Sequence, residues 1–169
     1  ARGSSRTGEC VRQTLVEQLE NRVLLSAARV HALDVSADPR FFVPTTHIPV
    51  KTGLSIAVDA NAYSPFTLNL KSLEAELKHA PREFTSAAKA PLVLRLPTPD
   101  GTLQRFAIVD APVMESGLAA QFPQIRTFRG VGLDDPNASV RLDYTPLGFH
   151  AQVISPNGWY YIDPYYRND

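Results

Sequence analysis

The sequence is poor in cysteine. Cys10 is its single thiol, so it has no internal disulfide and no cysteine spacing for a metal site. It also lacks an excess of either charge: 17 basic residues stand against 17 acidic ones, and the formal net charge is zero. Nothing in that balance points to nucleic acid or to a membrane surface as partner. Long hydrophobic runs are missing too, and none approaches the roughly 18 to 20 residues needed to span a bilayer. Histidine is sparse. His31, His47, His79 and His150 are scattered, and no two lie three or four residues apart, so no helical metal pair forms. HExxH and CxxC are both absent. Spacing alone assigns no catalytic residue, no cofactor-binding residue and no metal ligand.

Proline is plentiful, with 14 residues in 169, which favours short strands and loops over long helices. The length suits one domain with a real core. The start of the chain is basic and rich in small residues. From Val11 it turns amphipathic, with Leu15, Val16 and Leu19 at helical spacing, which predicts a short surface helix. Residues 30–52 hold Pro39, Pro44 and Pro49 without a sustained period and read as a linker.

Patterned sequence follows. LSIAVD, with Leu54, Ile56 and Val58 alternating, predicts a strand. FTLNLKSLEAELKHAP predicts a helix with Asn69 as N-cap, Leu70, Leu73 and Leu77 on one face, an exposed Glu74–Lys78 pair, and a stop at Pro81. PLVLRL and LQRFAIVD flank an Asp100-Gly101 turn. A short helix capped by Ser116 ends before Pro123. IRTFRGVGL, ASVRLDY, LGFHAQVIS and WYYID are further strands. The links DDPN, TPLG and SPNG are too short for a parallel return, so these strands run antiparallel. Asn157-Gly158 predicts a tight type I′ hairpin, and Leu147, Phe149, Ala151 and Val153 share a face.

The fold class that results is α+β: an antiparallel β-sheet meander of six or seven strands, one or two short helices packed on it, and a flexible N-terminal segment. The predicted core is Leu70, Leu73, Leu77, Val93, Phe106, Ile108, Phe122, Val140, Leu142, Phe149, Val153 and Trp159.

Several features invite a chemical reading. Gly130-Val131-Gly132 has no phosphate-loop pattern after it and reads as a bulge or bend. Asp134-Asp135 could offer calcium oxygens, but DDPN more simply makes a turn through side-chain bonds to backbone amides. Ser155 sits in a turn with no histidine or acid arranged beside it, and His150 reads as a surface or half-buried strand residue. Five aromatic residues crowd between Trp159 and Tyr166. Trp159 and Tyr161 fall on one face of a strand, Tyr160 and Ile162 on the other. Tyr165 and Tyr166 follow Asp163-Pro164 as an exit segment. Trp159, Tyr161, Tyr165 and Tyr166 are the candidate partner interface.

Two resemblances extend this reading. LENRVLLSA, residues 19–27, is similar to the LEPR-XLL motif near the start of large exported bacterial proteins, with Asn21 in place of the usual proline. It implies an N-terminal sorting or envelope-associated segment and an exported protein. The stretch from Gly53 to Tyr166 resembles the N-terminal propeptide-like region of secreted bacterial reprolysin-like zinc metallopeptidases. The resemblance is carried by the helix ending in Ala80-Pro81, the Asp100-Gly101 strand pair and Asp110-Ala111-Pro112-Val113-Met114. It continues through Gly130-x-Gly132-x-Asp134-Asp135-Pro136, Gly148-Phe149-His150 and Tyr161-Ile162-Asp163-Pro164-Tyr165.

This resemblance implies three parts: residues 1–52 as motif segment and linker, 53–166 as a propeptide-like domain, and 167–169 as a truncated linker. It implies a non-catalytic role, folding assistance or inhibition, toward a metallopeptidase catalytic domain in cis or in trans. Zinc is expected only in that domain, and no cofactor in this chain. Cys10 lies outside any cysteine-switch motif. The alternative is a stand-alone extracellular binding or adhesion module.

Overall fold

Six segments with alternating apolar residues run from Leu92 to Ile162, and in the computed structural model each one is a β-strand. The structure describes residues 41–57, 60 and 62–167. The six are β3 (Leu92–Pro97), β4 (Leu103–Asp110), β5 (Arg126–Gly132), β6 (Ser139–Thr145), β7 (Gly148–Ser155) and β8 (Gly158–Ile162). They form one antiparallel sheet in the order β3-β4-β5-β6-β7-β8. The order equals the chain order: the links after β3, β5, β6 and β7 are short, and the longer β4–β5 link, residues 111–125, carries a short helix and also returns the chain to the antiparallel neighbour. The predicted meander is therefore what forms.

Register decides which side chains meet. Phe106 faces Gly132, Phe128 faces Leu142, and Leu142 faces Ala151. With period 2, one face gathers Leu94, Leu96, Phe106, Ile108, Phe128, Val140, Leu142, Phe149, Ala151 and Val153, all buried. The helix α1 (Leu70–Leu77) closes this inner face with Leu73 and Leu77, which stand four apart on one helix side. Asn69 is its N-cap as predicted: the Ser72 amide donates to Asn69 Oδ1 at 3.2 Å. Glu74 makes no ion pair with Lys78 among the described residues; it lies near Tyr144, whose hydroxyl is pushed above its ordinary range by burial first and by this carboxylate second.

A second, two-stranded sheet completes the cover. β1 (Phe42–Pro44) runs antiparallel to β2 (Phe66–Leu68). Phe41 and Phe42 are buried, and the Phe42 ring meets Phe149 edge-on with centroids 5.7 Å apart. The folded part thus includes residues the sequence assigned to a linker, and a boundary at residue 53 falls inside it. The described part of LSIAVD, residues 54–57, makes no strand of its own. Ile56 forms one antiparallel bridge with Tyr166, flanked by Ala57 N–H to Tyr165 O at 2.8 Å and Arg167 N–H to Ser55 O at 2.9 Å. Alternation licenses a strand only where a partner is long enough, and here the partner is three residues. Val58 lies outside the described residues, as do the expected N-terminal helix, Cys10, the LENRVLLSA segment, Asn168 and Asp169.

Other details differ from expectation. The helix α2 (Ser116–Gln121) is capped by Glu115, not Ser116: Glu115 Oε2 accepts from the Leu118 amide at 3.3 Å. It buries no side chain, and Phe122 is exposed. Val93 leaves the core because Leu92, Leu94 and Leu96 take the inner side of β3. Leu147 sits exposed in a turn and not beside Phe149. In the β7–β8 hairpin Ser155 pairs with Gly158, so Pro156 and Asn157 are the two turn residues. Proline cannot take the positive φ that a type I′ turn needs at that place. The left-handed residue is Gly158 itself, at φ 127°. Thr145-Pro146-Leu147-Gly148 repeats this device one hairpin earlier, with Gly148 at φ 119°. Among the described residues no helix is long and apolar enough to cross a membrane.

Candidate functional site

Among the described residues no helix or strand lies over the outer face of the sheet. Its side chains are read directly from the register. Along one row Val93, Ala107, Val131, Ser139, Ile154 and Trp159 stand side by side from β3 to β8. The next row holds Val109, Arg129, Arg141, Gln152 and Tyr161.

The β8 end is aromatic. Trp159 and Tyr161 point outward because Tyr160 and Ile162 take the inner side. Trp159 is 67% exposed and Tyr161 56%. Trp159 therefore belongs to this face and not to the core where the sequence placed it. Their rings meet edge to face with centroids 5.7 Å apart. Gln152 Nε2 donates to the Tyr161 hydroxyl at 3.2 Å and steadies that ring.

The β5 end carries Phe84, a residue no sequence pattern singled out. It follows α1 in a stretch tied to β4: Asp110 N–H donates to Pro81 O at 2.8 Å, and Glu83 N–H to Asp110 O at 2.9 Å. Asp110 is itself buried and pairs with Arg126 at 3.0 Å. Glu83 then reaches the outer face, where its Oε2 lies 2.8 Å from Arg129 Nε. The Arg129 guanidinium sits 5.3 Å from the centre of the Phe84 ring. Phe84 is 88% exposed and has φ 60°, the single non-glycine residue with positive φ among those described.

The other two candidate aromatics lie elsewhere. Tyr166 is buried, and its hydroxyl donates to Pro49 O at 3.1 Å. Tyr165 is half-buried, with Tyr63 6.0 Å and Tyr166 4.9 Å away between ring centroids. These two tyrosines fasten the end of the sheet to residues 49–57. They are not an exposed exit segment.

The remaining polar groups are structural. Arg105 saturates Asp134, with Nε to Oδ1 at 2.9 Å, Nη2 to Oδ1 at 2.6 Å and the Arg105 amide to Oδ2 at 2.7 Å. That bonding, above all the side-chain bond, holds the Asp134 carboxyl below its ordinary range. Asp135 Oδ1 accepts from the Asn137 amide at 3.0 Å, as a turn requires. A calcium ion at this turn would compete with the arginine for Asp134. The glycines of Gly130-Val131-Gly132 serve packing. A Cβ on Gly132 would stand 2.2 Å from Asp135 O. His150 Nδ1 lies 2.9 Å from Asp163 Oδ1, and Asp143 is its cross-strand neighbour on β6. Burial pushes the Asp143 carboxyl up, the nearby Asp163 adds to this, and His150 opposes it. Among the described residues no hydroxyl or thiol nucleophile is bonded to this histidine. A cleft of about 260 Å³ beside α1 has a Leu77 and Phe128 floor. Arg126 on its rim pairs with Asp110, and Glu74, Lys78, Gln124 and Tyr144 complete its polar lining. Among the described residues no group of three or more metal-ligating side chains is placed to hold an ion.

Comparison of the chain with family models, curated proteins and solved structures finds no match.

Proposed function

We propose that this chain is a non-catalytic docking domain, a propeptide-like partner of an exported zinc metallopeptidase, acting on the catalytic domain in cis or in trans. One observation carries the docking part: Trp159 and Tyr161 stand exposed on a sheet face that no other element covers among the described residues. Tryptophan, tyrosine and arginine are the residue types on which interfaces concentrate their energy. The metallopeptidase part rests on the resemblance between Gly53 and Tyr166. Zinc belongs to the catalytic domain, and this chain's role is to occlude or to template that domain's surface.

The test is titration of the chain against a reprolysin-like catalytic domain with HExxHxxGxxH. Binding is expected, and Trp159→Ala is expected to weaken it at least about tenfold, as loss of an interface hot spot does. Equal affinity for the variant and the parent would overturn the docking face. The edge-to-face Trp159–Tyr161 pair supports one other reading, an extracellular adhesion module that stacks sugar rings on these aromatics. Binding to neutral glycans with no binding to the protease domain would select it.

A further inference from the structure

Resting on that docking reading, we infer that the partner presents a carboxylate between two apolar contacts, with Arg141 as its receptor and Phe84 as the second anchor. Arg129 and Arg141 stand directly opposite each other on β5 and β6. Like charges at that position repel. Glu83 neutralises Arg129. The other opposed pair on this face, Arg95 and Arg105, has Asp134 beside it. Arg141 is exposed and has no ion pair or hydrogen bond among the described residues. One uncompensated guanidinium thus lies at the middle of the row.

Apolar groups bracket it. Tyr161 lies two strands away, on the far side of Gln152, with Trp159 beside it. Phe84 lies one strand away in the other direction, over Arg129. From β5 to β8 is three strand spacings, about 14 Å. A side chain that extends from a protein surface fits between such walls. Water excluded by the aromatic ends would strengthen a bidentate guanidinium–carboxylate bond at the centre.

The conformation of Phe84 supports the same conclusion. A bulky residue at φ 60° is strained. Contacts on both sides hold it there: Glu83 to Arg129 and to Asp110 O, and Thr85 Oγ1 to Arg82 O at 2.7 Å. What the strain achieves is an aromatic ring turned outward at 88% exposure, where it buries almost nothing in the free chain. Such a ring gains its burial in a complex.

The occupant is a protein surface and not a polyanion. Glu83, Asp134, Asp143 and Asp163 surround the row, and the whole chain is neutral. A chain of repeated negative charges would meet these carboxylates. A single carboxylate in apolar surroundings meets only Arg141.

The test uses the full chain and two probes, a reprolysin-like catalytic domain and polygalacturonate. The parent is compared with Arg141→Gln, Arg141→Glu, Phe84→Gly and Trp159→Ala. Phe84→Gly removes the ring and relieves the backbone, so loss of folding does not confuse the result. Affinity for the catalytic domain is expected to fall about tenfold or more with Arg141→Gln and Phe84→Gly, and further with Arg141→Glu. If Trp159→Ala alone weakens binding while the Arg141 and Phe84 variants match the parent, this inference fails and the docking reading stands. If the parent does not bind the catalytic domain, both fail, and binding of polygalacturonate would then identify a polyanion as the occupant.

Discussion

Three side chains on this sheet have titration or bonding states that stability measurements can read. The Asp143 carboxyl is raised in the folded state because burial disfavours the anion; His150 pulls the other way less strongly, and Asp163 adds a still smaller repulsion. Its folded value is above the unfolded one, so ionisation weakens the fold at neutral pH. The penalty is relieved as pH falls through the raised folded value and is gone below about 3.8, the ordinary value. Asp134 has the opposite sign. Its folded value is lowered, so its contribution is present above 3.8 and is lost as pH falls through that lowered value. Asp143→Asn is therefore expected to raise the urea midpoint at pH 7 and to shrink its advantage toward pH 4. A midpoint that is lower at pH 7 would show that Asp143 is paired more strongly than its burial implies. Tyr160 gives a second test. Its hydroxyl is buried with no hydrogen-bond partner, and burial, with Asp100 second, pushes it up to about 12. Removal of an unsatisfied buried group gains stability, so Tyr160→Phe is expected to add about 1 kcal/mol in chemical denaturation. A loss of that size would mean that the hydroxyl holds a bond through water.

At the scale of elements, the strands and α1 were legible because their signals are local. Alternation marks the six segments, and the short links after β3, β5, β6 and β7 allow only antiparallel returns, whereas the 111–125 link between β4 and β5 leaves that pairing open to the sequence. Asn69 before a leucine stripe and Pro81 after it mark α1. Asn69→Ala is expected to cost about 1 kcal/mol, because the Ser72 amide loses its acceptor. Gly132 explains why β5 carries a Gly-x-Gly that binds no phosphate. The link to β6 folds back so tightly that Asp135 O occupies the place of a side chain. Gly132→Ala is expected to cost about 1 to 3 kcal/mol by overpacking, since a backbone carbonyl cannot swing aside as a side chain can. An unchanged melting temperature would show that the turn is free to move. What was not legible required partners distant in sequence. Trp159 looked like core because tryptophan usually is; only the register, which sets Tyr160 and Ile162 inward, turns it out. Arg141 could be placed on the polar side of ASVRLDY, but its lack of a counter-ion could not. Phe84 lies in an unpatterned stretch, and its place over Arg129 depends on the tie between Arg82 and Asp110.

For the whole molecule, the same limit explains where the fold begins. Composition placed everything before Gly53 outside the domain, because prolines interrupt it and no period runs through it. Yet Phe41 and Phe42 are 5% and 3% exposed, and Phe42 packs on Phe149 near the start of β7. The Phe41 carbonyl accepts from the Asn69 amide at 2.9 Å, just where α1 starts. Tyr166 at the other end of the domain bonds Pro49 O. These residues close the inner face from the side that α1 does not reach. A chain that starts at Gly53 would lose β1, both buried phenylalanines and the Tyr166 anchor. Each buried phenylalanine is worth about 3 to 5 kcal/mol when truncated to alanine, and a domain of this size is stable by about 5 to 15 kcal/mol in total. The shortened chain is therefore expected to lose its cooperative thermal transition and to bind a hydrophobic dye, while the full chain melts sharply and binds little. The comparison needs only circular dichroism and dye fluorescence on the two chains. A sharp melt of the shortened chain within a few degrees of the full one would mean that the six-stranded sheet and α1 are sufficient, and that residues 41–52 pack on a core which does not need them.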